Sequence, residues 1–485
     1  MQSASESDPL LPRPQQDQHG LVLLWSLLSD SIPVILSYIL QNSIQTSSIL
    51  IAGRLGPDEL SVSAFALMLA FVTGAYLVLR ILRTSDPMVF SQAGAFTGGQ
   101  KTTLSVHFQR CVVILYVLFI PVGVAWWYID PILVALGQSP ELSRDVQAFL
   151  RVLIAGAPGY IGFESLKKYL QCQGIMGAST GVLVVLFPVN IATNIYFIHH
   201  TPLGVIGSPV ALSVTYTLCF ILLGLWTWYS PTHRANATWG GFQPATVFNL
   251  HSCYVFVKLA IPGILMVGTE WAAFEIVALA AGRLGALPLA AQSVIMTTDQ
   301  ILNTLPFGIG VAASARVGNL IGARSAAGAR HAAHASALVS VVVGTVVMTV
   351  MLATKDVYGY LFSDDADVVR LVARVMPLVA SFQVADGLAG SCGGVLRGQG
   401  RQHLGALFNC VAYYVLALPL GITLAFSERT ALGLEGLWIG QVLALFIVGL
   451  GEYYVVWRSD WDEEIRRGIE RNEEEAKLRG MNIAE

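Results

Sequence analysis

Charge is what this sequence has least of. Only 12% of its 485 residues are Asp, Glu, Lys or Arg, where soluble domains carry about 25%. A soluble chain of this length would split into several domains, each with a charged exterior, and there is not enough charge here to build them. An excess of one sign is missing too: 28 basic and 31 acidic residues leave a formal net charge of −3, with a pI near 6.3. No basic face for nucleic acid can be assembled from that balance. Paired cysteines are absent. Cys111, Cys172, Cys219, Cys253, Cys392 and Cys410 stand singly, with no C-x-x-C, so neither a disulfide framework nor a metal site is expected. Buried thiols acting as small hydrophobes are expected instead. No cleavable leader is expected either, because residues 1–20 are polar and the first apolar run is too long for an h-region. Nor is an ATP motor encoded. The run GAFTGGQKT at 94–102 puts Gln between the glycines and Lys101, which misregisters the phosphate cradle. The formal dinucleotide pattern at Gly308 and Gly310 lies inside an apolar run with no strand before it, and helix packing by small residues accounts for it better.

What is abundant is apolar. Hydrophobic residues make up 54% of the chain and the mean hydropathy is +0.63. A helix needs about 20 apolar residues to cross the roughly 30 Å hydrocarbon layer. On that ruler twelve runs are expected, at about 29–52, 60–82, 107–129, 147–170, 180–199, 204–229, 256–281, 287–312, 331–354, 371–396, 404–426 and 434–457. None shows the ten-residue alternation of a membrane barrel. The expected fold is therefore an all-α integral membrane protein with twelve transmembrane helices. Its parts would be a disordered cytosolic tail over 1–28, an N-lobe of helices 1–6 over 29–230, a cytosolic linker over 231–255, a C-lobe of helices 7–12 over 256–457, and a charged cytosolic tail over 458–485. The Lys/Arg distribution sets orientation. With both termini inside, fifteen basic residues plus five in the C-terminal tail fall on the cytosolic side, and eight fall outside.

The halves echo one another. AGRLG occurs at 52–56 and again at 281–285, and LQCQG at 170–174 answers LRGQG at 396–400. Two echoes at nearly one offset, both at helix ends, predict two parallel six-helix repeats with a substrate route between them.

Acids inside the spans are the informative residues. A charge at mid-bilayer costs roughly 2.5–3.5 kcal/mol on insertion scales and is a functional hypothesis by default. Glu270 and Glu275 stand in the seventh run and Asp386 in the tenth. Carboxyls withdrawn from water favour the neutral form and suit proton loading and release. Five residues turn a helix by about 140°, so Glu270 and Glu275 cannot share one stripe. Trp271, beside Glu270, is a candidate cation–π partner for an amphipathic cation. Asp299, Gln41, Asn42, Asn190 and Asn194 can bind a ligand or a neighbouring helix. The N-terminal half offers no comparably central acid, since Glu164 and Asp86 fall near expected cytosolic ends.

At these residues the chain resembles a eukaryotic, fungal-like member of the multidrug and toxic compound extrusion (MATE) family. The motifs that carry the resemblance are TEWAAFEIVALAAGRLG (269–285), PFGIGVAASARVGNLIGA (306–323) and GGVLRGQGRQHLGALFNCVAYYVLALPLGI (393–422). The resemblance covers about 29–457. It implies two six-helix lobes around a central cavity and extrusion of organic cations or drugs. It also implies exchange for protons in eukaryotic members, and for sodium or protons in bacterial ones. The family's seventh-helix acids fall on Glu270 and Glu275, its tenth-helix acid on Asp386 and its first-helix glutamine on Gln41. An eighth-helix acid of animal members falls on Thr297, a candidate substrate- or proton-binding position that departs from the acid of those members. The stretch LRILRTSDPMVFSQAGAFTGG (79–99) departs from the family pattern: either the second helix ends early or an exon junction is misjoined, with 75–96 the part affected.

The expected function is proton-coupled antiport by alternating access, exporting or sequestering organic cations, by a monomer with no cofactor beyond the proton gradient. Export of organic anions or metabolites is the alternative within transport, and a lipid-linked flippase or membrane enzyme the alternative outside it. Glu6, Leu10 and Leu11 form an acidic dileucine pattern on the N-terminal tail. If it is read by sorting adaptors the protein resides in a vacuolar or endolysosomal membrane, and otherwise in the plasma membrane.

Overall fold

In the computed structural model, which describes residues 20–70, 102–135, 138–362 and 365–478, the apolar runs are helices. In chain order the long elements are α1 (Gly20–Ala52), α2 (Pro57–Leu69), α3 (Thr103–Trp127), α4 (Pro140–Cys172), α5 (Ala178–His199), α6 (Gly207–Tyr229), α7 (Leu250–Leu284), α8 (Ala286–Leu302), α9 (Thr304–Gly322), α10 (Ala326–Tyr358), α11 (Ala366–Gln399), α12 (Gln402–Asn409), α13 (Leu418–Phe426), α14 (Leu434–Trp457) and α15 (Trp461–Leu478). A π-helical stretch, Cys410–Ala417, joins α12 to α13. Ten helices among the described residues are long and apolar enough to cross a membrane. Of the second expected span, only the part through residue 70 is described, and the irregular stretch 75–96 lies outside the described residues. The acidic dileucine pattern and Asp86 lie outside them as well.

The eighth expected run, 287–312, is two helices rather than one. Pro306 has no N–H to donate to the carbonyl of Leu302, and the helix breaks there. Asn303 sits at the joint and donates its N–H back to Asp299 O at 2.8 Å.

The repeated motifs mark corresponding helix ends. AGRLG closes α1 before α2 and closes α7 before α8. The glycines of the second echo, Gly174 and Gly400, have φ of 77° and 78°, the left-handed conformation that costs glycine least. Both follow a helix end with a matching reversal, Ile175 N–H to Leu170 O at 3.0 Å and Arg401 N–H to Leu396 O at 2.8 Å, the bond of a Schellman closure.

Two compact units result. One runs over Leu36–Val257. The other combines the first half of α1, through Ile35, with Lys258–Arg471. The sequence reading began the N-lobe at residue 29 and left 1–28 as a disordered tail, whereas α1 is helical from Gly20. Arg316 on α9 pairs with Asp30 at 3.3 Å, which holds the first half of α1 in the second unit, and Pro33 lies close to the boundary.

Within each unit small residues set the closest approaches, as expected where lipid removes the hydrophobic drive between helices. In the first unit a Cβ at Gly156 of α4 would lie 2.6 Å from Ser213 Cα of α6. In the second, Gly394 of α11 lies on the backbone of Gly310 in α9. Outward faces stay apolar: Val342, Val346 and Val350 on one face of α10 are all exposed, the belt that lipid covers. The charged tail forms α15, which docks through Trp461, 6% exposed, and through Glu464, which pairs with Arg401 at 3.3 Å.

Candidate functional site

The second unit contains a buried cavity of about 60 Å³, and its lining carries charge. Helix α7 contributes Glu270 and Trp271, the α8–α9 joint Asn303, α11 Asp386 and Arg397, α12 Asn409, and α14 Glu452. The rotation of α7 follows from its packing. Phe274, one turn after Glu270, is 5% exposed and meets Phe382 edge-on, with centroids 5.7 Å apart. Trp438 completes that cluster and donates its indole N–H to Gln292 Oε1 at 2.8 Å. Residues 270 and 274 share this face. Glu275, about 140° away from Glu270, is exposed and does not line the cavity.

The break at Asn303 has a direct consequence for Asp386. Asn303 Nδ2 donates to Asp386 Oδ2 at 3.2 Å. One turn away Gln383 Nε2 donates to Asp299 Oδ1 at 3.1 Å. Amide and carboxyl thus alternate between the two elements, each buried acid held by the partner's amide. The cavity extends along three turns of α11 from Asp386 to Arg397, about 16 Å at 1.5 Å per residue. At the far end Asn409, at the start of the π-helical stretch, donates to the carbonyl of Met266. Helical bonding irregularities of that kind recur at functional sites.

The first unit holds buried charge of its own at Glu164, which the sequence reading placed near an expected cytosolic end. Glu164 and Lys167 pair at 2.5 Å with side chains 2% and 0% exposed. Gln41 bridges them, donating to Glu164 Oε1 at 2.6 Å and accepting from Lys167 Nζ at 2.9 Å. Lys168 Nζ donates to Tyr38 OH at 3.0 Å, and Lys167 lies over the Tyr38 ring at 4.4 Å. Asn190, fully buried, donates to Thr215 Oγ1 at 3.0 Å and accepts from Ser47 at 3.4 Å. Its hydrogen bonds run to neighbouring helices. Thr297 is exposed, with its hydroxyl turned back to Ser293 O at 2.8 Å.

The structure therefore brings Glu270, Trp271 and Asp386 together, and leaves Glu275 and Thr297 outside the cavity. Gln41 and Asn190 lie in separate networks of the first unit. Arg397, Asn303, Asn409 and Glu452 escaped the sequence reading. The available signal was an acid inside the apolar run 434–457, which the sequence reading did not single out.

Two units of membrane-spanning helices, each with charge buried among them, define a polytopic transport protein. Comparison with known proteins gives the family. The MatE family model matches twice, at residues 33–196 and 262–423, once in each half of the repeat. An uncharacterized transporter of Schizosaccharomyces pombe is 35% identical over 90% of this chain and 79% of its own length. Human multidrug and toxin extrusion protein 1 is 34% identical over 87% of this chain and 72% of its own. The crystal structure of the eukaryotic MATE transporter AtDTX14 superimposes with a TM-score of 0.84 at 28% identity, covering 93% of this chain and 99% of that one. The chain belongs to the MATE family of transporters, and its fold is the family's twelve helices in two lobes.

Proposed function

We propose that this protein is a proton-coupled antiporter that moves organic cations by alternating access, with no bond made or broken in the substrate. The observation that carries the reading is the charged cavity of the second unit. Three carboxyls and one guanidinium surround about 60 Å³, room for roughly two waters at ~30 Å³ each. A drug-sized ligand needs about 300–1,000 Å³. In this conformation the chamber therefore suits protons and water. If all four groups were ionised, the site would hold an excess of negative charge that burial penalises by several kcal/mol. Protons or a cation must offset it, and exchanging one for the other is the antiport step. Glu270 and Asp386 carry the proton, while Trp271 offers an indole face to the cation. Glu275, turned away from the cavity, has no direct part.

The test uses the full chain in liposomes with an imposed pH gradient and ethidium as the organic cation. Gradient-driven ethidium movement is expected, and its loss in Glu270→Gln and Asp386→Asn. Absence of movement with the intact protein sinks the reading. Movement driven by a sodium gradient alone would replace the proton with sodium, and movement of an organic-anion probe instead would favour the metabolite exporters. For location, we propose cytosolic termini and a vacuolar or endolysosomal membrane set by Glu6, Leu10 and Leu11. Unchanged distribution of a tagged Leu10→Ala/Leu11→Ala protein would dispose of the sorting role of these residues.

A further inference from the structure

Glu452 is the cavity carboxyl to which the exchange just described assigns no proton, yet both of its oxygens are buried without a hydrogen-bond partner. It is 1% exposed and lines the cavity. Buried polar groups are hydrogen-bonded in the great majority of cases, and an ionised carboxylate buried without such bonds is among the costliest arrangements a protein can hold.

Its place in the cavity is built by glycines. A Cβ at Gly405 would stand 2.8 Å from Glu452 Oε1, and one at Gly393 would stand 3.3 Å from Glu452 Oε2 and 3.6 Å from Arg397 Nη1. Met266 lies nearer still to both positions, so its thioether and the Glu452 carboxyl share the space that a side chain at 393 or 405 would take, with the Arg397 guanidinium beside the same glycine. The ionisable groups within electrostatic reach are Arg397 and Cys392 on α11, Glu270 on α7 and Tyr413 in the π-helical stretch. Gly393 lies seven residues along α11 from Asp386, about 10 Å, so Glu452 stands about two helical turns along the cavity from the Asn303–Asp386 contact.

We propose that Glu452 is a second proton-binding station of the C-terminal unit, separate from Glu270 and Asp386, with Arg397 as the fixed counter-charge facing it. When Glu452 is neutral, no unsolvated anion remains beside the two glycines. When it gives up its proton, Arg397 is the cation at hand among the described residues to stabilise the carboxylate left behind. The cavity then stores protons at two stations, and more than one is exchanged per organic cation. The transport consequence rests on the antiport reading; the protonation of Glu452 does not.

Infrared difference spectra of the purified full chain, taken between alkaline and acidic buffer, report protonated carboxyls through their carbonyl stretch. Glu452→Gln is isosteric and neutral, and a matching gel-filtration profile and thermal melt confirm its fold. Loss of one titrating carboxyl band is expected in Glu452→Gln, with the same band retained in Glu270→Gln and Asp386→Asn and restored in Glu452→Asp. A spectrum superimposable on that of the unsubstituted protein overturns the proposal. In liposomes Glu452→Gln is expected to lower the number of protons counted per ethidium moved; an unchanged ratio also overturns it. If the band titrates but the intact protein moves no ethidium, the antiport reading fails and the Glu452 station stands. If ethidium moves with the gradient but the band does not titrate, the reverse holds.

Discussion

Replacing Gly394 with alanine tests whether backbone contact between α9 and α11 is what holds the charged cavity in shape. A Cβ at 394 would lie 2.8 Å from both the carbonyl carbon and the Cα of Gly310, and closer still to its oxygen. Non-bonded carbons rest at about 3.5–4.0 Å, so the helices must part by about 1 Å. Both sides of the contact are backbone, so no rotamer change can relieve it. Overpacking costs about 1–3 kcal/mol when side chains can adjust; here the upper end, about 3 kcal/mol, is expected. Gly181 on α5 is the control, since nothing lies within 4 Å of its added Cβ. There alanine should be neutral, or stabilising by up to about 1 kcal/mol through helix propensity. The assay is thermal melting of the detergent-solubilised full chain, followed by fluorescence-detected gel filtration. Gly394→Ala should melt well below the unsubstituted protein, and Gly181→Ala at or above it. A Gly394→Ala protein that melts with the unsubstituted one would refute the argument that small residues determine how closely these helices approach.

Lys167→Met strips the buried Glu164 of its counter-charge and should destabilise by about 3–5 kcal/mol; adding Glu164→Gln should recover most of that in the same melt, and no recovery would show the pair is not coupled. Trp438→Ala removes an indole that is 0% exposed and should cost about 3–5 kcal/mol; a loss under about 1 kcal/mol would contradict the packing described for Phe274 and Phe382. The linker following α6 is anchored by Tyr169, whose hydroxyl meets His233 Nε2 at 3.1 Å and Thr238 Oγ1 at 2.7 Å. Burial holds His233 below the usual histidine value, with a backbone hydrogen bond at Thr227 opposing. The folded state therefore prefers the neutral ring. The anchor's stability is complete above the usual value of about 6.5 and declines as pH falls from there through the lowered folded value. Hydrogen exchange over 231–240 should quicken in mildly acidic buffer, and His233→Gln should flatten the dependence; identical exchange at neutral and acidic pH in the unsubstituted protein would contradict it.

Hydropathy and repetition determined a good deal without any coordinates. The scarcity of charge required lipid around the chain, and ten of the twelve expected runs are described as full-length apolar helices. The AGRLG and LQCQG echoes fell at helix ends because a glycine that leaves a helix must do so at the same point of each repeat. Glu270 and Asp386 stood out because an acid deep in an apolar run has few reasons to be there. The break at 303 was legible in Pro306, but a run of apolar residues conceals it, since hydropathy sums over the window that the proline interrupts. What only the tertiary structure decided is rotation and depth. Whether an acid faces lipid, a cavity or a neighbouring helix depends on how its helix is turned, and the turn is set by contacts distant in sequence: Phe274 against Phe382 and Trp438, Gly394 against Gly310. Those contacts put Glu270 on the cavity and Glu275 outside it. They also draw Glu452 and Arg397 close to Gly393, and Glu164 onto Gln41 from 123 residues away. Composition and spacing run along one dimension, and the electrostatics of a buried site depend on which charges the other two dimensions bring within a few ångströms.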